Sequence, residues 1–429
     1  MMLALLGAGE GGTGAALLAH AHGLDVFVSD GGTIAAPYKQ ALLAQGIALE
    51  EGQHSWHRLQ AATEVVKSTG IPDSAPIVQQ LRRAGIPIIS DIELASRYTQ
   101  ATLIGITGTN GKTTTAYLTH HLLKTAGLDV GLAGNMGHSF AKALLGRQHA
   151  YYVLELSNFQ LEGMHTCRLD IACLLNITPD HLDRYDGRMA PYVQAKFRIL
   201  QNMTAQDHFV YVQDEAYIRD YLRQHPVVPC QHPILPQQTL AKELGWLQAA
   251  PFRLQGTHNQ QNALVAIKVA QLLGIGQEQL QAGLATFRGV PHRLEWIATI
   301  NGVDCYNDSK ATNVEAALAA LQSFDRPIVW IAGGMDKGND YALLQPVARA
   351  RVKALICLGK DNTKISQAFQ HTVPLMYTTQ QMEAAVQQAL ACAAPGDVVL
   401  LSPACASFDL FKNFEERGAR FRAVLRDYE

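Results

Sequence analysis

Short apolar runs alternate with amphipathic stretches along nearly the whole chain. Met2–Leu6 reads as a buried strand, Gly14–His22 as a helix and Asp25–Ser29 as a second strand, with further strand candidates at Glu64–Lys67 and Ile86–Ile89. A second block opens at Thr102–Thr107 (TLIGIT), passes a glycine turn and enters a helix from Lys112 to Ala126. Its other strand candidates are Tyr151–Leu156, Ile171–Ile177 and His208–Val212, and Leu264–Leu273 reads as a helix. The stretch Pro226–Gln238 carries four prolines and reads as a surface loop. FRGVP at Phe287–Pro291 interrupts the pattern and marks a hinge. Beyond it, Val303–Asn307, Ile328–Ala332, Ala354–Leu358 and Val398–Leu401 read as strands with helices between them. Strands alternating with helices predict an α/β fold whose sheets are mainly parallel and covered on both faces.

Length and composition narrow the class. A chain of 429 residues exceeds one ordinary core, so two or three domains are expected. Lys plus Arg (35) nearly balances Asp plus Glu (37), which leaves no electrostatic footprint for nucleic acid or an anionic membrane. The seven cysteines are odd in number, widely spaced and without a CxxC pair, so a reducing compartment is expected rather than a disulfide framework or zinc cluster. No basic residue precedes the short apolar start and no apolar run reaches about 18 residues, so neither a signal peptide nor a membrane span is expected.

The sharpest local chemistry lies at Gly105–Thr115 (GITGTNGKTTT), between a strand and a helix. There, backbone N–H groups and a helix N-terminus can cradle phosphate. Lys112 would reach the outer phosphates of a nucleotide and Thr113 would offer a hydroxyl to Mg²⁺. The loop is a variant, with Ile106 where the general pattern has glycine. Mg²⁺ needs hard oxygens near the phosphates. Glu155, a carboxylate within the apolar run Val153–Leu156, calls for a partner and fits that need. Asp180, His181 and Asp183 follow another apolar run and can face the same cleft; alone, His181 fits a structural histidine as well as a ligand.

Gly7-Ala-Gly-Glu-Gly-Gly12 also follows a strand and matches GxGxxG, with Asp30 ending the next strand. Tight strand-to-helix packing accounts for these glycines too. The match raises a nicotinamide-dependent oxidoreductase as a rival, although that reading leaves the GKT loop unexplained. A nucleotide-dependent regulator without ligase activity is a third reading.

Nine motifs then follow in one order: TGTNGKTTT (107–115), GNMG (134–137), LELSNFQLE (154–162), NITPDHLDRY (176–185), GTHNQQN (256–262), PHR (291–293), NDSKATN (307–313), GGMDKG (333–338) and LSPACASFDLFKNFEERG (401–418). In this series the chain resembles the Mur ligase family, and the last motif resembles its D-glutamate-adding branch. The resemblance implies three domains, each with a mainly parallel sheet. These are a Rossmann-like UDP-substrate domain over 1–97, a P-loop ATPase-like domain over 98–287, and a Rossmann-like domain over 288–429 for the incoming amino acid.

It implies an ATP-dependent, cytoplasmic, monomeric amide ligase that joins D-glutamate to UDP-N-acetylmuramoyl-L-alanine through an acyl phosphate. The residues implied for ATP are Gly108, Thr109, Asn110, Gly111, Lys112, Thr113, Thr114, Asn259, Arg293, Asp308 and Lys310. Thr113 with Glu155 would hold one Mg²⁺, and His181 a second. Lys196 matches the family's carbamylated lysine, which would turn a repelling cation into an anionic ligand. Lys112, His181, Lys196, Arg293 and Lys310 would carry the catalysis. Gly12, Thr13, Asp30, Asn135 and His181 are implied for the UDP substrate. Thr312, Lys337, Ser407, Phe408 and Phe414 are implied for D-glutamate. Closure about the hinge would carry the last domain's groups over ATP. The first glycine loop is longer than the family's usual GxGx[ST]G form.

Overall fold

The computed structural model describes residues 2–180, 182–235 and 257–428; His181, the side chain of Asp183 and Gly256 lie outside the described residues. The first sheet holds β1 (Met2–Leu6), β2 (Asp25–Asp30), β3 (Ala48–Glu51), β4 (Glu64–Lys67) and β5 (Ile88–Ile89). All are parallel, in the order β3-β2-β1-β4-β5. The second holds β6 (Thr102–Thr107), β7 (Val130–Gly134), β8 (Tyr151–Glu155), β9 (Ile171–Leu174), β10 (His208–Val212) and β11 (Cys230–Ile234). It too is parallel throughout, in the order β11-β10-β9-β6-β8-β7.

The third holds β12 (Glu295–Ile300), β13 (Val303–Asn307), β14 (Ile328–Ala332), β15 (Val352–Leu358), β16 (Leu375–Thr379) and β17 (Val398–Leu401). Its order is β12-β13-β17-β14-β15-β16, and only β12 runs antiparallel. Every residue of β14 and β17 is buried, as expected of parallel strands with helices on both faces. The first two sheets belong to one compact unit, residues up to 235 with 258–285, and the third sheet belongs to another, 286–428.

Within the first unit, helices Glu10–Ala21, Asp91–Ser96 and Phe140–Ala143 pack together and join the two sheets. Small residues permit that approach. A Cβ on Gly11 would lie 2.9 Å from Asp91 Oδ2, and one on Gly14 would lie 2.2 Å from Ser139 Oγ. The buried Glu93 carboxylate crosses the seam and accepts the backbone N–H groups of His165, Thr166 and Cys167 at 2.9, 3.1 and 2.8 Å.

Several boundaries differ from the sequence reading. The first helix begins at Glu10 rather than Gly14, so the second half of the glycine motif is helical. The proline-rich stretch contains β11; as an edge strand it bonds only β10 and tolerates Pro233, which has no N–H to give. Residues 236–238 of that stretch lie outside the described residues. β9 stops at Leu174, which leaves Asn176 in the loop beyond it.

Candidate active site

The order of the second sheet puts β6 between β8 and β9, so the loops after all three strands share one edge. In open α/β sheets that edge is where ligands bind. Gly111 starts the helix Lys112–Thr125 with φ +84°, and a Cβ there would lie 2.4 Å from Asn262 Oδ1, so the turn demands glycine. Lys112 folds over the loop, and Nζ donates to the Gly108 and Thr109 carbonyls at 2.9 and 2.7 Å. Asn176, beyond β9, braces the loop. Its Oδ1 accepts the Asn110 N–H at 2.8 Å, and its Nδ2 donates to the Asn110 carbonyl at 3.0 Å.

Glu155 ends β8 and is only 3% exposed. Its two oxygens accept from Thr113 Oγ1 at 2.7 Å and Asn135 Nδ2 at 3.2 Å. A hydroxyl and a carboxylate held together at a helix N-terminus are the hard donors that Mg²⁺ takes, so these residues fit that ion. Lys196, on helix Met189–Phe197, is 1% exposed and donates to the Gly108 carbonyl at 2.8 Å. Burial, with Lys112 nearby, pushes its amine down to about 7 against the pull of Asp180 and Glu155. A buried amine that can be neutral at physiological pH fits a carbamylation site. Lys112, Asn135, Asp180, Arg184, Tyr192 and Lys196 line one cleft of about 400 Å³.

Asn135 also lines a neighbouring cavity of about 220 Å³ with Gly9, Gly11 and Gly12 of the first sheet's glycine motif. Thr13 and Asp30 are occupied differently. Thr13 Oγ1 donates to the Ala8 carbonyl at 3.1 Å, while Asp30 accepts the Ala8 and Gly32 N–H groups, each at 2.8 Å. Both hold the shape of the glycine turn. Thr109 is tied to Thr178 and to the Tyr192 hydroxyl at 3.0 Å. Thr114 lies in the first turn of the loop's helix, and Asn259 lies on helix Thr257–Leu272, one turn before Asn262.

In the second unit, β13, β17 and β14 are adjacent, so the loops NDSKATN, SPACASFD and GGMDKG leave neighbouring strand ends. Arg417, 1% exposed, links two of them. Its guanidinium donates to Ser309 Oγ (3.0 Å), the Ser309 carbonyl (2.9 Å) and the Cys405 carbonyl (3.1 Å). The Met335 N–H donates to the Ala406 carbonyl at 2.8 Å, bringing Lys337 beside Phe408, whose ring centroid is 5.7 Å from Nζ. Lys310 Nζ sits 5.4 Å from the Phe414 ring centroid. Thr312 is exposed in the turn after Lys310, whereas Ser407 is 2% exposed. Arg293 is exposed and faces Asp308.

Asp308 accepts the Leu294 N–H (3.1 Å) and the Ser402 hydroxyl (2.8 Å), yet burial raises its carboxyl to about 7. A raised folded pKa makes protonation favour the fold. The contribution is complete below the ordinary value of 3.8 and is lost as pH rises through about 7. Asp308→Asn is therefore expected to melt a few degrees higher than the parent at about pH 8, with the gap closing by about pH 4. Ligand-free calorimetry across that range checks it; a gap independent of pH would refute the assignment.

Asn176, Asn262 and Arg417 stand within the motifs above without an expected role, and Tyr192 lies outside those motifs. Asn176 and Asn262 each sit in a motif with a second polar residue that did receive attention, and their partners lie far away in sequence.

The fold and these loops define a phosphate-loop, nucleotide-binding α/β class, and comparison with known proteins supplies the family. Residues 106–234 match the Mur ligase middle domain, and residues 292–405 match the Mur ligase, glutamate ligase domain. The chain belongs to the Mur ligase family. It is 44% identical over 440 residues to UDP-N-acetylmuramoylalanine--D-glutamate ligase of Christiangramia forsetii, covering 99% of each chain. It is 46% identical over 440 residues to the protein of that name from Bacteroides fragilis, again covering 99% of each. Among solved structures, UDP-N-acetylmuramate-alanine ligase MurC of Thermotoga maritima aligns over the whole of both chains with TM-score 0.57 at 17% identity. MurF ligase of Thermotoga maritima, in complex with ADP, covers 94% of this chain and 96% of its own with TM-score 0.54 at 15% identity. At such identities these two structures bear on the fold alone.

Proposed function

We propose that this protein is an ATP-dependent ligase that adds D-glutamate to UDP-N-acetylmuramoyl-L-alanine in peptidoglycan precursor synthesis. The observation that carries this is the cleft joining a phosphate loop to the buried Lys196 amine, in a chain alike over 99% of its length to ligases of that name. We assign residues 1–97 to the UDP substrate, 98–287 to ATP and 288–429 to the amino acid.

The alanine carboxylate is anionic, and oxide is a poor leaving group. A carboxylate oxygen attacks the γ-phosphorus of ATP and ADP leaves, giving an acyl phosphate; the amine of D-glutamate then adds to its carbonyl carbon, and the tetrahedral intermediate expels phosphate as the nitrogen loses a proton. Lys112 and the N–H groups of Gly108–Thr114 would hold the transferring phosphate, with Arg293 and Lys310 offsetting its charge and Asp308 near the ribose. Asn259 would meet the adenine. Mg²⁺, held by Thr113 and Glu155, would supply further charge when bound. Lys196, as a carbamate, would offer an anionic oxygen pair to a second Mg²⁺. His181 is proposed for the same ion. Gly12 and Asn135 would face the UDP substrate, with Thr13 and Asp30 setting the glycine turn. Lys337 would supply point charge to a D-glutamate carboxylate, with Thr312, Ser407, Phe408 and Phe414 around it.

All seven cysteines are free and, among the described residues, no helix is long and apolar enough to cross a membrane, which supports action in the reducing cytoplasm. A monomer is the proposed working form.

Phosphate release from ATP and Mg²⁺ tests the reading directly. It is expected only when UDP-N-acetylmuramoyl-L-alanine and D-glutamate are both present, and not with L-glutamate, L-lysine or meso-diaminopimelate. Release with none of these amino acids would overturn it.

A further inference from the structure

His208 opens β10 and Cys230 opens β11, and the register pairs His208 with Cys230 and Val210 with His232. Side chains two apart on a strand share a face, so His208, Cys230 and His232 meet on one face of the sheet's edge. Their potential ligand atoms all lie within 4.8 Å of one another. His208 Nδ1 and His232 Nε2 are 3.0 Å apart. Two Zn–N bonds of about 2.05 Å at a tetrahedral angle place the nitrogens about 3.3 Å apart, so little movement is needed to admit the ion. Cys230 is exposed, so a metal and its water can enter from solvent.

This is the amino end of the parallel strands. The phosphate loop and Glu155 lie at their carboxyl end, so the cluster is separate from the nucleotide cleft. We propose that His208, Cys230 and His232 form a zinc site that clamps edge strand β11 to β10, with water as the fourth ligand. One thiolate and two imidazoles select a borderline-soft ion such as Zn²⁺ and disfavour Mg²⁺, which takes oxygen. β11 bonds the sheet along one side only, so a metal bridge to β10 strengthens its single attachment.

Chelator-stripped, full-length protein should take up Zn²⁺ in the presence of excess Mg²⁺ and melt at a higher temperature. With Co²⁺ as the probe it should show a thiolate-to-cobalt charge-transfer band. Cys230→Ser should abolish that band, and His232→Gln should weaken Zn²⁺ binding roughly a hundredfold or more, since even outer-shell changes at metal sites cost ten- to a hundredfold. The band in the unaltered protein needs no variant to fold. No Zn²⁺ uptake would leave a plain His208–His232 hydrogen bond and overturn the proposal. Uptake without a thiolate band, a band that survives Cys230→Ser, or unchanged Zn²⁺ affinity in His232→Gln would also overturn it.

Discussion

Replacing Lys196 by alanine is expected to lower D-glutamate-dependent phosphate release by about three orders of magnitude, the scale seen when one preorganised electrostatic group is removed from an active site. The fold should survive. Among the described residues Lys196 makes one hydrogen bond, to the Gly108 carbonyl, and its buried amine lies 5.2 Å from the Tyr192 ring centroid with a second cation, Lys112, nearby. With its pKa depressed to about 7, the amine weakens the fold most below that pH, and the burden lifts as pH rises toward the ordinary value of 10.5. That burden is still nearly whole at neutral pH, so removing the amine offsets the packing lost with the side chain, and the variant should be no less heat-stable than the parent there.

The chemistry then separates two roles for the side chain. If Lys196 acts as a carbamate, short carboxylates such as acetate or formate can enter the vacated space and restore a measurable share of turnover. If it acts as a cation, they cannot, and Lys196→Arg should keep activity. Loss in the alanine variant with rescue by carboxylate, and loss without rescue in the arginine variant, is the expected pair. Full activity in Lys196→Ala would sink the assignment.

The elements that could be read from the chain are those whose cause is local. TLIGIT is apolar between its two threonines and leads into a glycine turn, so β6 and the helix from Lys112 fall where the pattern puts them. Five strands, β3, β7, β11, β12 and β16, are not among the expected ones, and three of them lack that signature. β7 is Val-Gly-Leu-Ala-Gly, β3 is half-exposed Ala-Leu-Glu-Glu, and β16 is largely exposed at the sheet's edge. Each is a strand because a neighbour pairs with it.

The site divides in the same way. Lys112, Thr113 and Glu155 follow from a motif and from an ionisable residue in an apolar run. The bracing of the loop by Asn176 links residues 66 apart, and the reach of Asn262 toward Gly111 needs two elements to be packed first. Neither leaves a mark in any short window.

The Glu93 seam belongs to that hidden class, and its removal should have the largest effect on stability. The Glu93 side chain is fully buried. Burial alone would raise its carboxyl, but the Thr166 hydroxyl and the N–H groups of Cys167, His165 and Thr166 hold it below the usual range. Glu93→Ala strips the acceptor from three backbone donors and a hydroxyl at once. Each orphaned donor costs on the order of 1–3 kcal/mol before water reaches it, so a net loss of about 3–5 kcal/mol is expected. Glu93→Gln keeps the shape and one acceptor oxygen, and should cost about half as much.

A depressed carboxyl stabilises the fold above its unfolded value, about 4.3, and loses that contribution as pH falls through the folded one. The difference between parent and alanine variant should therefore shrink in acid. The consequence for function follows from position. Helix Asp91–Ser96 carries Glu93, and the loop it grips leads into β9, beyond which Asn176 braces the phosphate loop. The cavity lined by Gly12 and Asn135 draws one wall from each sheet. Loosening the seam should raise KM for the UDP substrate more than it lowers kcat, because the cavity walls shift while Lys112, Glu155 and Lys196 all stay with the second sheet and its helices. Urea denaturation gives the first quantity and steady-state kinetics the second. A loss under about 1 kcal/mol with KM unchanged would mean that the apolar packing of the three seam helices, and not this carboxylate, fixes the two sheets together.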